Sequence, residues 1–140
     1  MANTNCRMAG SLSNIYLTDD DDDDRFLICE AIKAIGISVH IIEAVNGCDL
    51  LGKIGHDHAP KADLILLDMN MPRMNGLEAA QAIRTNKVYE NVPLVMITTS
   101  NDKHLALNAA ESGIDLFRTK PVSFEGYINL ARELTERFRL

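Results

Sequence analysis

The stretch IYLTDDDDDDRFLICEAIKAIG, residues 15–36, contains three different segments in succession. It opens with an apolar β-type run at Ile15–Leu17 and continues with six consecutive aspartates, Asp19–Asp24. After the aspartates, apolar residues recur with helical spacing up to Gly36, which can end a helix. A strand followed directly by an amphipathic helix is the basic unit of an α/β domain. This stretch therefore predicts an α/β fold with an acidic turn between its first strand and first helix.

The same alternation continues to the C-terminus. Further strand-like runs are Val39–Ile42, Leu64–Leu67, Leu94–Ile97 and, more weakly, Asp115–Phe117. Further helices are predicted from about Gly76 to Asn86, from about Leu105 to a stop at Gly113, and after an N-cap at Ser123. The segment 47–56 is the weakest helix, because Gly52 and Gly55 lower its helix propensity.

Five strands that alternate with helices predict right-handed βαβ units and one parallel sheet covered on both faces. A chain of 140 residues suits a single domain. We assign residues 1–13 to a polar N-terminal tail and residues 14–140 to this domain. Open sheets of this kind bind ligands beyond the carboxyl ends of their strands. We therefore look for functional residues directly after each strand.

The charge distribution limits the classes of partner. The chain has 14 basic and 20 acidic residues, and six of the acids form the run Asp19–Asp24, so the remaining charges balance. A nucleic-acid partner needs a basic stripe, and no such stripe is present in the sequence. No apolar run is long enough to span a membrane, and no secretory signal is visible, so we expect a cytoplasmic location. The cysteines Cys6, Cys29 and Cys48 fit reduced thiols.

Acidic residues follow two of the predicted strands. Asp22–Asp24 are explained by a first helical turn, where carboxylates cap N–H groups and favour the helix dipole. Asp19 and Asp20 precede that helix and repel each other, which favours a hard cation such as Mg²⁺ with oxygen ligands. Asp68 follows the apolar strand Leu64–Leu67 and adds a third negative charge. A carboxylate beside a metal can act as a nucleophile toward phosphorus.

The complementary groups follow the fourth and fifth strands. The Thr98 hydroxyl can donate to a phosphoryl oxygen, and the Lys120 ammonium can neutralise its charge. Pro121 restrains the backbone after Lys120 and allows a cis peptide bond there. The backbone carbonyl of Asn70, two residues after Asp68, can add a metal ligand. Phe117 alone is explained by ordinary packing.

Together, these residues resemble the bacterial response-regulator receiver domain, the CheY-like phosphoacceptor of two-component signalling. The resemblance lies in Asp19-Asp20, Asp68 within LLDMNMPRMNGLE, Thr98 within VMITTS, and Lys120-Pro121, and it covers about residues 14–140. The DDDDDDRFL stretch and the NMPRMNG loop further resemble small stand-alone receivers, some of which serve phytochrome-type histidine kinases.

The resemblance implies a flavodoxin-like (βα)₅ fold with strand order 2-1-3-4-5. It implies phosphorylation of Asp68, with Mg²⁺ held by Asp20, Asp68 and the Asn70 carbonyl, and by Asp19 largely through water. It assigns phosphoryl binding to Thr98 and Lys120, and makes Phe117 the switch aromatic.

The resemblance also implies the partners. The donor is a sensor histidine kinase or phosphotransfer protein. The output is a protein target, or a homodimer, on the face of the fourth helix, fifth strand and fifth helix. We expect no nucleic-acid or membrane partner. The chain is then not an enzyme with a separate substrate, but a phosphoacceptor that catalyses its own phosphotransfer and dephosphorylation.

Two alternatives stay open. One is a receiver fold that serves as a phosphorylation-independent interaction module. The other is a phosphatase of the haloacid-dehalogenase type, which normally needs a second aspartate where this chain has Asn70. Ser100 and Asn70 stand where the receiver family tunes dephosphorylation, and Thr99 stands where small residues are common. We interpret His56-Asp57-His58 as a solvated loop.

Overall fold

The computed structural model describes residues 12–99 and 103–140. In this part of the chain, five strands alternate with five helices. The elements in chain order are β1 (Ser13–Thr18), α1 (Asp22–Ala34), β2 (Val39–Ala44), α2 (Gly47–Ile54), β3 (Leu64–Leu67), α3 (Gly76–Arg84), β4 (Leu94–Thr98), α4 (Lys103–Glu111), β5 (Leu116–Thr119) and α5 (Phe124–Phe138). A 3₁₀ turn at Lys87–Tyr89 precedes β4. Residues 1–11 of the predicted tail, including Cys6, lie outside the described residues, as does Ser100.

The strands form one parallel sheet in the order β2-β1-β3-β4-β5. This is the order that the resemblance implied, and the fold prediction is confirmed. β3 and β4 are buried along their whole length, whereas the edge strand β2 is mostly half-buried. Buried central strands need apolar residues on both faces, which explains the unbroken runs LILL and LVMI.

Two apolar layers enclose the sheet. One face carries Ile15, Leu17, Leu64, Leu66 and Val95 against α1 and α5. The other face carries Tyr16, Ile65, Leu67, Leu94 and Met96 against the helices α2 and α3 and the α4 residue Ala109. Alternate residues of each strand point to opposite faces, so one strand contributes to both layers.

Local signals set most helix boundaries. Asp21 caps α1 by accepting from the N–H groups of Asp23 and Asp24, and Ser123 caps α5 as predicted. Gly36 and Gly113 follow α1 and α4 with positive φ of 78° and 90°, which glycine adopts without strain. No helix in the described ranges has the length and apolar character needed to cross a bilayer.

Some boundaries differ from the prediction. β5 spans Leu116–Thr119 rather than Asp115–Phe117, although Asp115 still bonds to β4: its N–H donates to the Leu94 carbonyl oxygen and its carboxylate accepts from the Leu94 N–H. α3 ends at Arg84 rather than near Asn86, because Asn86 caps the 3₁₀ turn. The weakly predicted α2 forms despite its glycines, because Asn46 caps it and Leu50 and Ile54 are buried.

Candidate functional site

The first wall of the site is the turn between β1 and α1. The Asp19 N–H donates to the Ala44 carbonyl oxygen at 3.1 Å and so extends the ladder between β1 and β2. Asp19 is 2% exposed, and its carboxylate accepts from the Asp21 N–H at 2.9 Å. Asp20 is exposed beside it. As predicted, this pair precedes the helix, and Asp22–Asp24 form its first turn.

The second wall is the end of β3, which carries Asp68. Its N–H donates to the Thr18 carbonyl oxygen at 3.0 Å, and its carboxylate accepts from the Asn70 N–H. Gly76 closes the following loop by donating to the Met69 carbonyl oxygen at 3.0 Å. A Cβ on Gly76 would lie 2.5 Å from the Asp68 carbonyl oxygen, so the loop requires glycine there. Asp68 is thereby held, nearly buried, at the sheet edge.

The acidic residues of the two walls converge. One carboxylate oxygen from each of Asp19, Asp20 and Asp68 lies within 4.8 Å of the others. Oxygen donors of this kind suit hard divalent cations, which neutralise the repulsion within such a group. The donor set therefore fits a divalent metal, and no other group of three or more candidate metal ligands occurs among the residues that the structure describes.

Lys120 enters the site from the end of β5. Its Nζ lies 2.9 Å from Asp19 Oδ2 and 3.5 Å from Asp68 Oδ1, and its side chain is 10% exposed. The backbone N–H of Lys120 donates to the Thr98 carbonyl oxygen at 2.7 Å, and this bond joins the ends of β4 and β5. The peptide bond to Pro121 is trans, contrary to the cis bond that the sequence allowed. The trans isomer is the lower-energy form of most bonds to proline.

Burial controls the protonation of the site. Burial and then the negative charge of Asp19 raise the pKa of Asp68 to about 6. Burial also raises the pKa of Asp19, although its bonds to the Asp21 N–H and to Lys120 oppose the rise. For Lys120, burial disfavours the charged form, but its bonds to Asp24 and Asp19 outweigh that effect, and its pKa lies above the ordinary value. The lysine therefore carries a charge at neutral pH.

The remaining predicted residues surround this centre. Thr98 is buried at the end of β4, next to the strand that carries Asp68. Phe117 lies on β5 and packs, partly buried, against the apolar layer that faces α4. The Asn70 side chain is exposed, and the N–H of this residue bonds to Asp68. Their roles in phosphoryl binding, switching and metal binding stay predictions.

Two contacts near the site were not predicted. Asp24, interpreted from the sequence only as a helix-cap carboxylate, lies 2.6 Å from Lys120 Nζ. Arg25 links Glu43 of β2 to the Asp19 carbonyl oxygen. One signal was available for Asp24, since positions 24, 28 and 31 have the spacing of one helix face and Ile28 and Ala31 are buried.

The histidine cluster lies away from this edge. His56 and His58 are exposed in the loop between α2 and β3, with ring centroids 6.5 Å apart. This loop precedes β3, so it lies toward the opposite end of the sheet from Asp68. It forms no group of three candidate ligands within the described ranges.

Comparison with known protein sequences gives one family. The response regulator receiver domain matches residues 15–132. The chemotaxis protein CheY homologue of Campylobacter jejuni is 29% identical over 107 residues, covering 76% of this chain and 80% of that protein. The sensor histidine kinase CheAY of Helicobacter pylori is 33% identical over 124 residues, covering 88% of this chain. This chain spans only 15% of that kinase.

Solved structures agree on the fold. The phosphorylated cyanobacterial phytochrome response regulator RcpA superposes with a TM-score of 0.85 at 21% identity, over 92% of this chain and 95% of that one. The Mn²⁺-bound form of the response regulator Rcp1 superposes with a TM-score of 0.79 at 23% identity, over 89% and 92% of the two chains.

Proposed function

The chain belongs to the response regulator receiver domains, and on that premise we propose that it is a stand-alone response regulator of a two-component phosphorelay. In this role it accepts a phosphoryl group on Asp68 and passes the signal to another protein. The observation that carries the proposal is the convergence of Asp19, Asp20, Asp68 and the Lys120 ammonium at one sheet edge.

Asp68 has the properties of a phosphoryl acceptor. It is held by backbone bonds at the end of a buried strand, so its position is fixed before any donor arrives. With a pKa of about 6 it is mostly ionised at neutral pH and can act as a nucleophile. Lys120 is near enough to neutralise charge on a transferring phosphoryl group.

We propose that Mg²⁺ is the cation that binds at the converging carboxylates of Asp19, Asp20 and Asp68. Asp20 and Asp68 would hold it directly and Asp19 largely through water, and the Asn70 carbonyl would complete the protein ligands. When bound, the cation supplies positive charge against the phosphoryl oxygens. The response regulator Rcp1, a structure with the same fold, is known in an Mn²⁺-bound form, which supports binding of a divalent ion.

The donor we propose is a sensor histidine kinase or a phosphotransfer protein. The likeness to a protein named as a sensor histidine kinase supports this choice. The chain would be its own catalyst for phosphotransfer and dephosphorylation, not an enzyme with a separate substrate. We place it in the cytoplasm, where Cys29 and Cys48, both free, would stay reduced.

The proposed output is a change of surface at α4, β5 and α5. A phosphoryl group on Asp68 would draw the Thr98 hydroxyl toward it, and Phe117 would turn into the space released. Phosphorylation would shift the population from one existing conformation to the other. The free energy of this shift cannot exceed the difference between the affinities of the two conformations for the phosphoryl group. Leu107 on α4, Phe124 on α5 and Val122 in the loop between β5 and α5 expose apolar surface, which suits a protein target or a second copy of the chain.

Amide NMR with Mg²⁺ and fluoroberyllate, an analogue of the phosphoryl group, tests the proposal. We expect shifts at the strand ends and across α4, β5 and α5, and their loss in Asp68→Asn. In Lys120→Ala, we expect Mg²⁺ shifts to persist and the fluoroberyllate response to disappear. A wild-type protein that does not respond to fluoroberyllate would instead favour the phosphorylation-independent module.

A further inference from the structure

The shortest ion-pair contact of the Lys120 ammonium is to Asp24, which does not belong to the converging group of Asp19, Asp20 and Asp68. Its Nζ lies 2.6 Å from Asp24 Oδ2, compared with 2.9 Å from Asp19 and 3.5 Å from Asp68. The Asp24 side chain is only 24% exposed, so this ion pair is partly shielded from water. Partly shielded, hydrogen-bonded ion pairs are stronger than pairs on an open surface.

The geometry of α1 directs Asp24 to this contact. The Asp24 N–H donates to Asp21 Oδ1 at 3.1 Å, which fixes the first turn of the helix. Its neighbours are arranged differently, since Asp22 pairs with Arg25 and Asp23 is exposed. A carboxylate that only complements the helix dipole needs no such partner. Asp24 and Lys120 are 96 positions apart, so the fold itself brings them together.

We propose that Asp24 is a positioning residue that holds Lys120 at the rim of the site and competes with the phosphoryl group for its ammonium. This inference rests on the proposed function, because it concerns the response to a phosphoryl group on Asp68. An ammonium has three N–H donors, and here three carboxylates surround it. A phosphoryl group on Asp68 brings additional anionic oxygens that can accept from Lys120. Each Lys120 N–H that stays bonded to Asp24 is not available to those oxygens.

The direction of the effect follows from charge. Asp24 holds the lysine through an ion pair and also repels an incoming phosphoryl dianion. Asp24→Asn keeps the shape and the backbone cap but removes both effects. We expect the variant to bind fluoroberyllate and to accept phosphoryl groups from acetyl phosphate about 3–10-fold more readily than the wild type. Asp23→Asn is the matched control, because it removes one exposed charge from the same turn.

The test is a double-mutant cycle between position 24 and Lys120. Acetyl phosphate labelling is measured with saturating Mg²⁺ for the wild type, Asp24→Asn, Asp23→Asn, Lys120→Gln and the double variants. Fluoroberyllate affinity is measured for the wild type, Asp24→Asn and Asp23→Asn, which all retain Lys120. We expect labelling of Asp24→Asn to exceed that of Asp23→Asn in the native background. Most of this excess should be lost when Lys120 is replaced, because only the direct repulsion between Asp24 and the phosphoryl group then remains. Equal effects of the two aspartate variants in the native background would overturn the proposal, as would additivity of Asp24→Asn with Lys120→Gln.

A second readout does not depend on phosphorylation. In protein labelled with ¹⁵N-lysine, the Lys120 ammonium resonance should shift or disappear in Asp24→Asn and stay unchanged in Asp23→Asn. An unchanged resonance in both variants would contradict the contact. If the wild type neither binds fluoroberyllate nor becomes labelled, the proposed function fails and this inference fails with it. If the wild type responds and the two aspartate variants behave alike, only the role of Asp24 is wrong.

Discussion

Arg25 donates a hydrogen bond from Nη1 to the backbone carbonyl oxygen of Asp19 at 2.5 Å. The same guanidinium lies 2.9 Å from Glu43 on β2 and also pairs with Asp22. The Arg25 side chain is 10% exposed, whereas its carboxylate partners Asp22 and Glu43 are exposed to solvent. Arg25 therefore connects α1 and the edge strand β2 to the turn that presents Asp19 and Asp20.

We expect Arg25→Met to weaken both the fold and the metal site. Methionine retains an apolar stem but leaves the Asp19 carbonyl oxygen and Glu43 without their donor. The free energy of unfolding should fall by about 1–2 kcal/mol, mainly through the lost charge-assisted bond to the buried Asp19 carbonyl oxygen, because Glu43 is exposed and can be solvated. Urea denaturation and a calorimetric Mg²⁺ titration measure the two effects.

Lys33→Met is the control for this prediction. Lys33 lies on the same helix, is largely exposed, and pairs only with Glu30 at 3.2 Å in the described structure. Its replacement should change the free energy of unfolding by less than about 0.5 kcal/mol. Similar losses in the two variants would show that the connection made by Arg25 has no special role.

Thr18→Val should stabilise the protein. Within residues 12–99 and 103–140, the Thr18 hydroxyl oxygen is the buried side-chain polar atom without a hydrogen-bond partner. Valine has nearly the same shape and removes the cost of burying that hydroxyl, so we expect a gain of about 1 kcal/mol in the free energy of unfolding. Thermal and urea denaturation measure the gain.

Thr135→Val supplies the comparison for Thr18. The Thr135 hydroxyl donates to the Ala131 carbonyl oxygen at 2.7 Å, so its removal sacrifices a bond. We expect no stabilisation at this position. A gain at Thr135 that equals the gain at Thr18 would mean that valine is favoured for reasons unrelated to the buried hydroxyl.

Asp20→Ala should weaken Mg²⁺ binding far more than Asp23→Ala. Asp20 belongs to the converging group of carboxylates, whereas Asp23 is an exposed residue of the same acidic run. We expect at least about a tenfold loss for Asp20 and less than about a threefold loss for Asp23, because only long-range attraction changes there. Equal losses in a titration would mean that the run attracts Mg²⁺ only through its overall charge.

Without metal, Asp68→Asn should be more stable than the wild type at neutral pH. Burial and Asp19 raise the pKa of Asp68 to about 6 in the folded protein, so its ionised form opposes folding. As pH falls through 6, the folded state takes up a proton before the unfolded state does, and the wild type recovers stability. The advantage of the variant should shrink by about 2 kcal/mol as the pH falls from 7 to 4.

Thermal denaturation in a chelating buffer, from pH 4 to pH 8, measures this difference. Groups that do not interact with Asp68 cancel when the two stability curves are subtracted, whereas Asp19, whose charge acts on Asp68, contributes to the difference. A stability difference that stays constant over this range would contradict the raised pKa of Asp68.

The fold was predictable where local and global signals agree. The run Leu64–Leu67 is both strand-like in sequence and buried on two faces, and the structure has the strand at those residues. The α2 segment was harder, because its glycines lower helix propensity and its stability comes from burying Leu50 and Ile54 against other elements. Burial of that kind depends on the tertiary fold, which a local pattern does not contain.

The candidate site was predictable as a list of residues but not as a network. Asp19, Asp20 and Asp68 converge as predicted, because parallel strands end at one edge. The contact between Asp24 and Lys120 was missed, since a helix cap was a sufficient local explanation for Asp24. The bridge from Arg25 to Glu43 was missed because its partners come from separate elements, which local spacing does not connect.

Intact-mass spectrometry after treatment with acetyl phosphate and Mg²⁺ tests the central claim most directly. We predict one added phosphoryl group on the wild type, stable in acid and labile in base as expected for an acyl phosphate, and none on Asp68→Asn. Equal labelling of the two proteins would contradict the assignment of Asp68 as the phosphoryl acceptor.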